Sequence, residues 1–416
     1  MGKPSAKAVV PRLRFPDFRR ASPWPMTSLE RIGERITKKN GDGRVERVLT
    51  NSAEFGVLDQ RDYFDKDIAT AGKVEGYYIV EKGDYVYNPR TSAIAPVGPI
   101  SRNNLGEGVM SPLYTVFRFS SDLTDFYAHY FKSTGWHSYL RSAASTGARH
   151  DRMSITTSAF MRMPLPAPVS AEQQKIADCL TSLDEVIAAQ ARKVEALKAH
   201  KRGLMQQLFP REGETVPRLR FPEFRDAPAW EEAAIGSRSK SFSGGTPSTT
   251  NGSYYGGQIP FIRSAEIGSA TTELHLTELG LRSSAAKLVE QGDVLVALYG
   301  ANSGDVALAK TSGAINQAIL CIRPECSNAY LYHFFSAKKS WVVATFIQGG
   351  QGNLSGEIIK SLILQFPSAE EQQRIADCLS SLDNRISAES DQLAALKTHK
   401  QGLMQQLFPA PDVATV

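Results

Sequence analysis

The chain carries one framework twice, and that duplication limits what it can fold into. Val10-Pro11-Arg12-Leu13-Arg14-Phe15-Pro16-Asp17-Phe18-Arg19 returns as Val216-Pro217-Arg218-Leu219-Arg220-Phe221-Pro222-Glu223-Phe224-Arg225. A longer match joins residues 173–210 to 372–409, identical at about two-thirds of positions. Its period of about 200 residues is far beyond solenoid repeats, so this is a duplicated module and not an array. The intervening stretches, about 26–168 and 231–366, resemble each other little. The expected layout is a first globular domain over 1–168, a helix over 169–210, a second domain over 211–367 and a second helix over 368–416. Two unlike domains on two like scaffolds suggest two different recognition tasks performed in one geometry.

The repeated segments carry heptads. From Ile176 the apolar residues step by four and three through Leu180, Leu183, Ile187, Val194, Leu197, Leu204 and Leu208. The second copy repeats them as Ile375, Leu379, Leu382, Ile386, Leu393, Leu396, Leu403 and Leu407. That is a coiled-coil seam. Ser170-Ala171-Glu172 and Ser368-Ala369-Glu370 supply capping chemistry upstream, and Pro210 and Pro409 stop both helices. Gln190 and Lys201 interrupt the first seam, and Glu389 and Lys400 the second. An antiparallel pairing with Lys201 opposite Glu389 places Gln190 opposite Lys400 and leaves the other layers apolar. Buried polar layers of this kind set register at some cost in stability. The expected fold class is therefore α+β: two globular mixed α/β domains joined by a long antiparallel two-helix coiled coil with pseudo-twofold symmetry. Roughly 33 seam residues give a rod about 50 Å long, the length of about 15 base pairs of B-DNA. Such a rod suits a split site with an unread spacer.

Composition sets the bounds. With 416 residues, 42% hydrophobic and 22% charged, the chain has the make-up of a globular protein of two or more domains. No apolar stretch is long enough to cross a bilayer, and cytoplasmic location is the expectation. A net charge of +5 permits a nucleic-acid partner without demanding one. Four cysteines in a chain this long, expected in the cytoplasm, predict no disulfide framework, and Cys321 and Cys326 lack the second nearby Cys or His pair of a zinc site.

The order of several short phrases, taken together with the duplicated helices, resembles the specificity subunit of type I restriction–modification enzymes over nearly the whole chain. The phrases are the Leu-Arg-Phe-Pro openings, Gly244-Gly245-Thr246-Pro247-Ser248, Tyr254-Tyr255-Gly256-Gly257-Gln258-Ile259-Pro260-Phe261-Ile262, Gly292-Asp293-Val294-Leu295, Gly300-Ala301-Asn302-Ser303-Gly304 and Ile315-Asn316-Gln317-Ala318. In the first domain they are Tyr87-Asn88-Pro89-Arg90 and Gly108-Val109-Met110-Ser111-Pro112-Leu113-Tyr114. Tyr255-Gly256 stands where many relatives have Trp-Gly, and Phe261 where many have Trp; both keep an aromatic. The resemblance implies that each variable domain is a target-recognition domain reading one half of a bipartite site in double-stranded DNA. It also implies that the rod docks two methyltransferase subunits using S-adenosylmethionine, joined by motor-nuclease subunits using ATP and Mg. No cofactor is expected in this chain.

Base readout needs amides, hydroxyls and arginines, and phosphate contacts need cations. Candidates in the first domain are Lys38, Lys39, Asn88, Arg90, Arg102, Asn103, Arg149, His150 and Arg152. In the second they are Arg238, Lys240, Thr246, Ser248 and Arg263, with Gln348, Gln351 and Asn353 in a Gly-rich loop. No catalytic residue and no metal ligand is expected. The chain has no Gly-x-x-x-x-Gly-Lys-Ser/Thr phosphate loop, and Asn88-Pro89-Arg90 lacks the second proline of a methyltransferase motif. A DNA-modifying enzyme and a pure coiled-coil scaffold are the competing classes. Methyl transfer by the isolated chain would mark the first, and absence of salt-dependent DNA binding the second.

Overall fold

A computed structural model describes residues 8–63, 74–121, 125–144, 151–211, 213–300, 302–325, 327–346 and 354–409. The chain forms two compact units. Unit 1 is residues 1–189 with 393–416, and unit 2 is residues 190–392. Two 39-residue helices, Ser170–Leu208 and Ala369–Leu407, dominate the secondary structure. Both stop ahead of the prolines that cannot continue them. Each helix is shared out between the two units.

Within each unit one helix end meets the other antiparallel, and both close the core. In unit 1, Ile176 and Leu180 from the start of the first helix join Met404, Leu407 and Phe408 from the end of the second. They pack with Trp24, Phe126, Tyr130 and Trp136. In unit 2, Leu208 and Phe209 join Ile375, Ala376 and Leu379 against Trp230, Tyr330 and Phe334. The repeated Leu-Arg-Phe-Pro segments pin these ends. Leu13 N donates to Gln406 O and Leu219 N to Gln207 O, at 3.0 and 2.9 Å. Pro16–Phe18 and Pro222–Phe224 each form a 3-10 turn, which accounts for the recurring prolines.

The two domains differ in sequence yet share a sheet plan. In unit 1 an antiparallel sheet runs in the order Gly33–Ile36, Thr115–Phe119, Tyr85–Tyr87, Ile100–Arg102. In unit 2 the order is Ser239–Ser243, Ile319–Pro324, Val294–Ala297, Val306–Leu308, again antiparallel. One ion pair ties the same strands in both. Arg118 binds the fully buried Asp84, and Arg323 binds the buried Asp293. Each aspartate also accepts the backbone N–H three residues upstream, of Glu81 or Glu290, at 2.8 Å. The glycine before each aspartate has positive φ, 98° at Gly83 and 93° at Gly292, a conformation that favours glycine. Unit 2 adds a four-stranded sheet, Leu274–Leu276, Tyr255–Ile262, Gly313–Ile315, Lys287–Val289, with one parallel pair. Gly244 is required there, because a Cβ would lie 1.8 Å from Ile315 O.

The polar layers of the helices pair otherwise than the heptads predict. Lys201 binds Asp383 at 2.6 Å, not Glu389. Gln190 binds Glu389, through its backbone oxygen at 2.9 Å and its carboxylate at 2.7 Å, not Lys400. Lys400 binds Asp184. The expected register is therefore corrected: Asp383 lies six residues before Glu389, and Asp184 six before Gln190. Heptad spacing pairs seam residues only with seam residues, whereas each lysine reaches past the seam to a carboxylate flanking it, beside Leu382 or Leu183. A slip by about one heptad leaves apolar layers apolar, so the apolar pattern alone does not choose the register.

A histidine completes each of these clusters. His129 Nε2 lies 3.1 Å from Thr181 Oγ1, and its Nδ1 is 3.9 Å from Asp184. His333 stands likewise to Ser380 (3.0 Å) and Asp383 (3.9 Å). Both rings are buried, and neither Nδ1 has a hydrogen-bond partner. Burial first, then Lys132 and Lys400, pull His129 down to about 4 against the opposing pull of Asp184. Burial and Lys201 pull His333 down to about 3. The aspartates stand in ion-pair range, but each spends its charge on a lysine, and both imidazoles are neutral at pH 7.

Candidate nucleic-acid interface

The predicted DNA contacts sort by what the fold already asks of them. In unit 1, Asn103 is fully buried; its amide donates to Glu81 O and Gly106 O and accepts Leu105 N–H. It shapes a turn, and the expectation that it reads a base is corrected: every hydrogen-bonding atom of its side chain is taken. Asn88 is half-buried, donating to Asn51 O at 2.9 Å and accepting Arg90 N–H at 3.0 Å. Arg102 is ion-paired with Asp125. Arg90 is exposed, with Asp151 no nearer than 3.9 Å, and an isolated bridge joins its backbone to that of Arg152. Lys38 and Lys39 are exposed beside Asn40, whose buried side chain is bonded to the backbone of Val45. Arg149 and His150 lie outside the described residues.

In unit 2 the arginines are more heavily committed. Arg263 binds Glu266 with both Nε and Nη2, and Glu273 with Nη2. Those carboxylates raise its pKa and largely cancel its charge, so as a phosphate contact it is weak. Arg238 pairs with Glu231. Lys240 is exposed on its strand. Thr246 donates to Gln317 Oε1 at 2.7 Å, and Ser248 shares a 2.8 Å hydrogen bond with Thr250; both are exposed. Gln348, Gln351 and Asn353 lie outside the described residues.

Among the candidates, Asn88, Arg90 and Arg152 line one open cavity of about 510 Å³ in unit 1. Thr50, Asn51, Gln60, Ser111 and Tyr114 line it too, and the sequence singled out none of these five as a site residue. Their signal is structural: Leu49–Ser52 is a strand buried at all four positions, and period-2 pattern reading does not flag three polar residues there. Arg102 lines a separate depression of about 490 Å³ with Lys132 and the exposed Phe55. Among the described residues, no group of His, Cys, Asp and Glu is arranged to hold a metal.

Comparison with known proteins settles the family. The model of the type I restriction modification DNA specificity domain matches residues 63–199 and 229–398, most of the chain and once in each half. The chain belongs to this family. A curated specificity subunit of the type I restriction enzyme MjaIX, from Methanocaldococcus jannaschii, is 30% identical over 189 residues, 43% of this chain and 44% of that one. A putative MjaX specificity subunit from the same organism is 23% identical over 267 residues, 62% and 61% of the two chains. The chain thus spans about half the length of the curated relatives it matches. Among solved structures, the S subunit of a type I restriction–modification system from M. genitalium superposes with a TM-score of 0.59 at 13% identity, covering 96% of this chain and 99% of that one. A chain from work on complex assembly and conformational transition of the type I system gives 0.57 at 15%, covering 92% and 97%. These likenesses show the specificity-subunit fold. Two matched segments in one chain are what the internal duplication requires. No helix among the described residues is long and apolar enough to cross a membrane.

Proposed function

We propose that this chain is the DNA-recognition component of a type I restriction–modification complex, cytoplasmic and without catalysis of its own. Each unit reads one half of a bipartite site in double-stranded DNA. The paired helices dock two methyltransferase subunits that use S-adenosylmethionine, and motor-nuclease subunits using ATP and Mg join that core. The observation carrying this reading is the contrast within the chain: one framework occurs twice, down to the Arg118–Asp84 and Arg323–Asp293 pairs, while the residues around the candidate interfaces differ. A pure scaffold has no need of two different polar surfaces on one frame. Arginines, amides and hydroxyls gathered at an open face match the chemistry of phosphates and base edges.

The test is to express the chain with its methyltransferase and map adenine methylation genome-wide, before and after residues 231–366 are replaced by an unrelated recognition domain. One half of a split motif should change and the other persist. A motif unaltered by the swap would overturn the reading in favour of a scaffold. Methyl transfer by the isolated chain would overturn the non-catalytic assignment.

A further inference from the structure

We propose that the cavity beside residues 49–52 of unit 1 reads a single base of the DNA half-site, with Gln60 and Tyr114 as the groups that meet its edge. The inference rests on the DNA-reading function proposed above and names the place where unit 1 performs it.

One strand breaks the rule of its surroundings. Among the described strands, four others are buried at every position: Tyr85–Tyr87, Gly108–Met110, Val294–Ala297 and Gly313–Ile315. They read Tyr-Val-Tyr, Gly-Val-Met, Val-Leu-Val-Ala and Gly-Ala-Ile, the apolar composition expected of strands covered on both faces. Leu49–Ser52 is equally buried but reads Leu-Thr-Asn-Ser. Polar groups in such a place must be paired, and each unpaired one weakens the fold. Thr50 is paired with the Tyr114 hydroxyl at 3.1 Å, and Ser52 Oγ accepts the Glu54 and Phe55 N–H groups. Asn51 donates to Val86 O at 2.7 Å, and its backbone oxygen accepts the Asn88 amide at 2.9 Å. A core strand has no use for such groups, whereas here they hold in place the side chains that line the cavity, Asn88 through Asn51 and Tyr114 through Thr50.

The rest of the lining fits a base with its adjoining phosphates better than a cationic metabolite. Among the described residues no carboxylate lines the cavity; besides two arginines its polar side chains are amides and hydroxyls, which can present donors and acceptors side by side as a base edge does. Leu113, 61% exposed, adds an apolar surface of the kind that meets a thymine methyl. Arg90 and Arg152 stand at the same cavity as cations for the adjoining backbone phosphates. The asymmetry with Arg263, held by two glutamates in unit 2, is what separates a contact awaiting DNA from one spent on the fold.

Two variants of the full chain, Gln60→Leu and Tyr114→Phe, test this when expressed with the methyltransferase. In the methylation map, discrimination should fall roughly five- to a hundredfold at one base of one half-motif. The half read by unit 2 should stay intact, which also reports that the variant protein is folded and assembled. If both variants keep the parental motif, the cavity is not a reader, while the domain swap can still uphold DNA recognition. A uniform loss across all sites with a shallower salt dependence would mark phosphate contact and overturn the proposal. If the parental chain itself directs no motif, the function on which the inference rests falls first.

Discussion

The two units solve one mechanical problem in the same way and one chemical problem differently. At the root of each helix an arginine of the repeated Leu-Arg-Phe-Pro segment binds a buried glutamate: Arg14 with Glu172, and Arg220 with Glu371. Each arginine also donates to a nearby carbonyl, Ala21 or Ala227, at 2.7 Å. The difference lies one atom further. Trp24 donates its indole N–H to Glu172 at 3.0 Å, whereas the matching Trp230 in unit 2 has no acceptor for its own. The duplication kept what holds the helices and released what only assists. The candidate interfaces were released altogether: unit 1 gathers loosely held arginines and amides at one cavity, while unit 2 ties its arginines to glutamates.

Removal of the buried acids should tell the two units apart most strongly. Glu172→Ala leaves Arg14 buried without its partner and Trp24 without its acceptor, and should cost about 3–5 kcal/mol in denaturant unfolding. Glu371→Ala should cost about 1 kcal/mol less, because Trp230 has no bond to lose. Equal losses would show that the indole contact contributes nothing.

Acid separates the two units by a smaller margin. Both histidines have folded values below the ordinary value of 6.5, about 4 for His129 and about 3 for His333. The unfolded chain therefore takes up protons first as pH falls. Their contribution to stability is complete above pH 6.5 and is lost progressively toward pH 4 in unit 1 and pH 3 in unit 2. For His129 the loss amounts to about 3 kcal/mol at most. Melting curves between pH 7 and 4 should show it, and His129→Gln and His333→Gln should each flatten the acid limb. A limb that neither change alters would remove the histidines from the account.

A smaller effect tests the register. Reversing the charges in Lys201→Asp with Asp383→Lys should recover about 1–2 kcal/mol relative to the sum of the single changes. Glu389→Lys should not rescue Lys201→Glu. Rescue at 389 and not at 383 would restore the register that the heptads predict. The smallest effect is electrostatic. Arg90→Ala should lower the salt slope of DNA binding by about one, and Arg263→Ala should leave it nearly unchanged. Equal slopes would erase the contrast between the two surfaces.

The duplication, the helices and their stops were legible in the sequence because they rest on identity, period and proline chemistry. The register was not, because Lys201 and Lys400 find carboxylates off the seam where apolar spacing carries no information. The shared sheet plan was hidden as well: its matching marks are as sparse as Val80-Glu81-Lys82-Gly83-Asp84 against Val289-Glu290-Gln291-Gly292-Asp293, in domains that otherwise resemble each other little. At the candidate interface, residue type picked out Asn103 and Arg263 although the fold had already consumed them. It passed over Thr50 and Asn51, whose meaning comes from a burial that no local pattern announces.

The division of the helices also orders events on the ribosome. Unit 2 is continuous in sequence, but unit 1 draws core residues such as Leu407 and Phe408 from beyond residue 392. Leu393 follows Ala189 by 204 residues, so at ordinary translation speeds of about 5–20 residues per second unit 1 waits roughly 10–40 s for its last wall. The half synthesised first is thus the half completed last. A chain broken off at residue 392 would carry a whole second unit and an unfinished first one, so truncation late in synthesis strikes the domain made at the start.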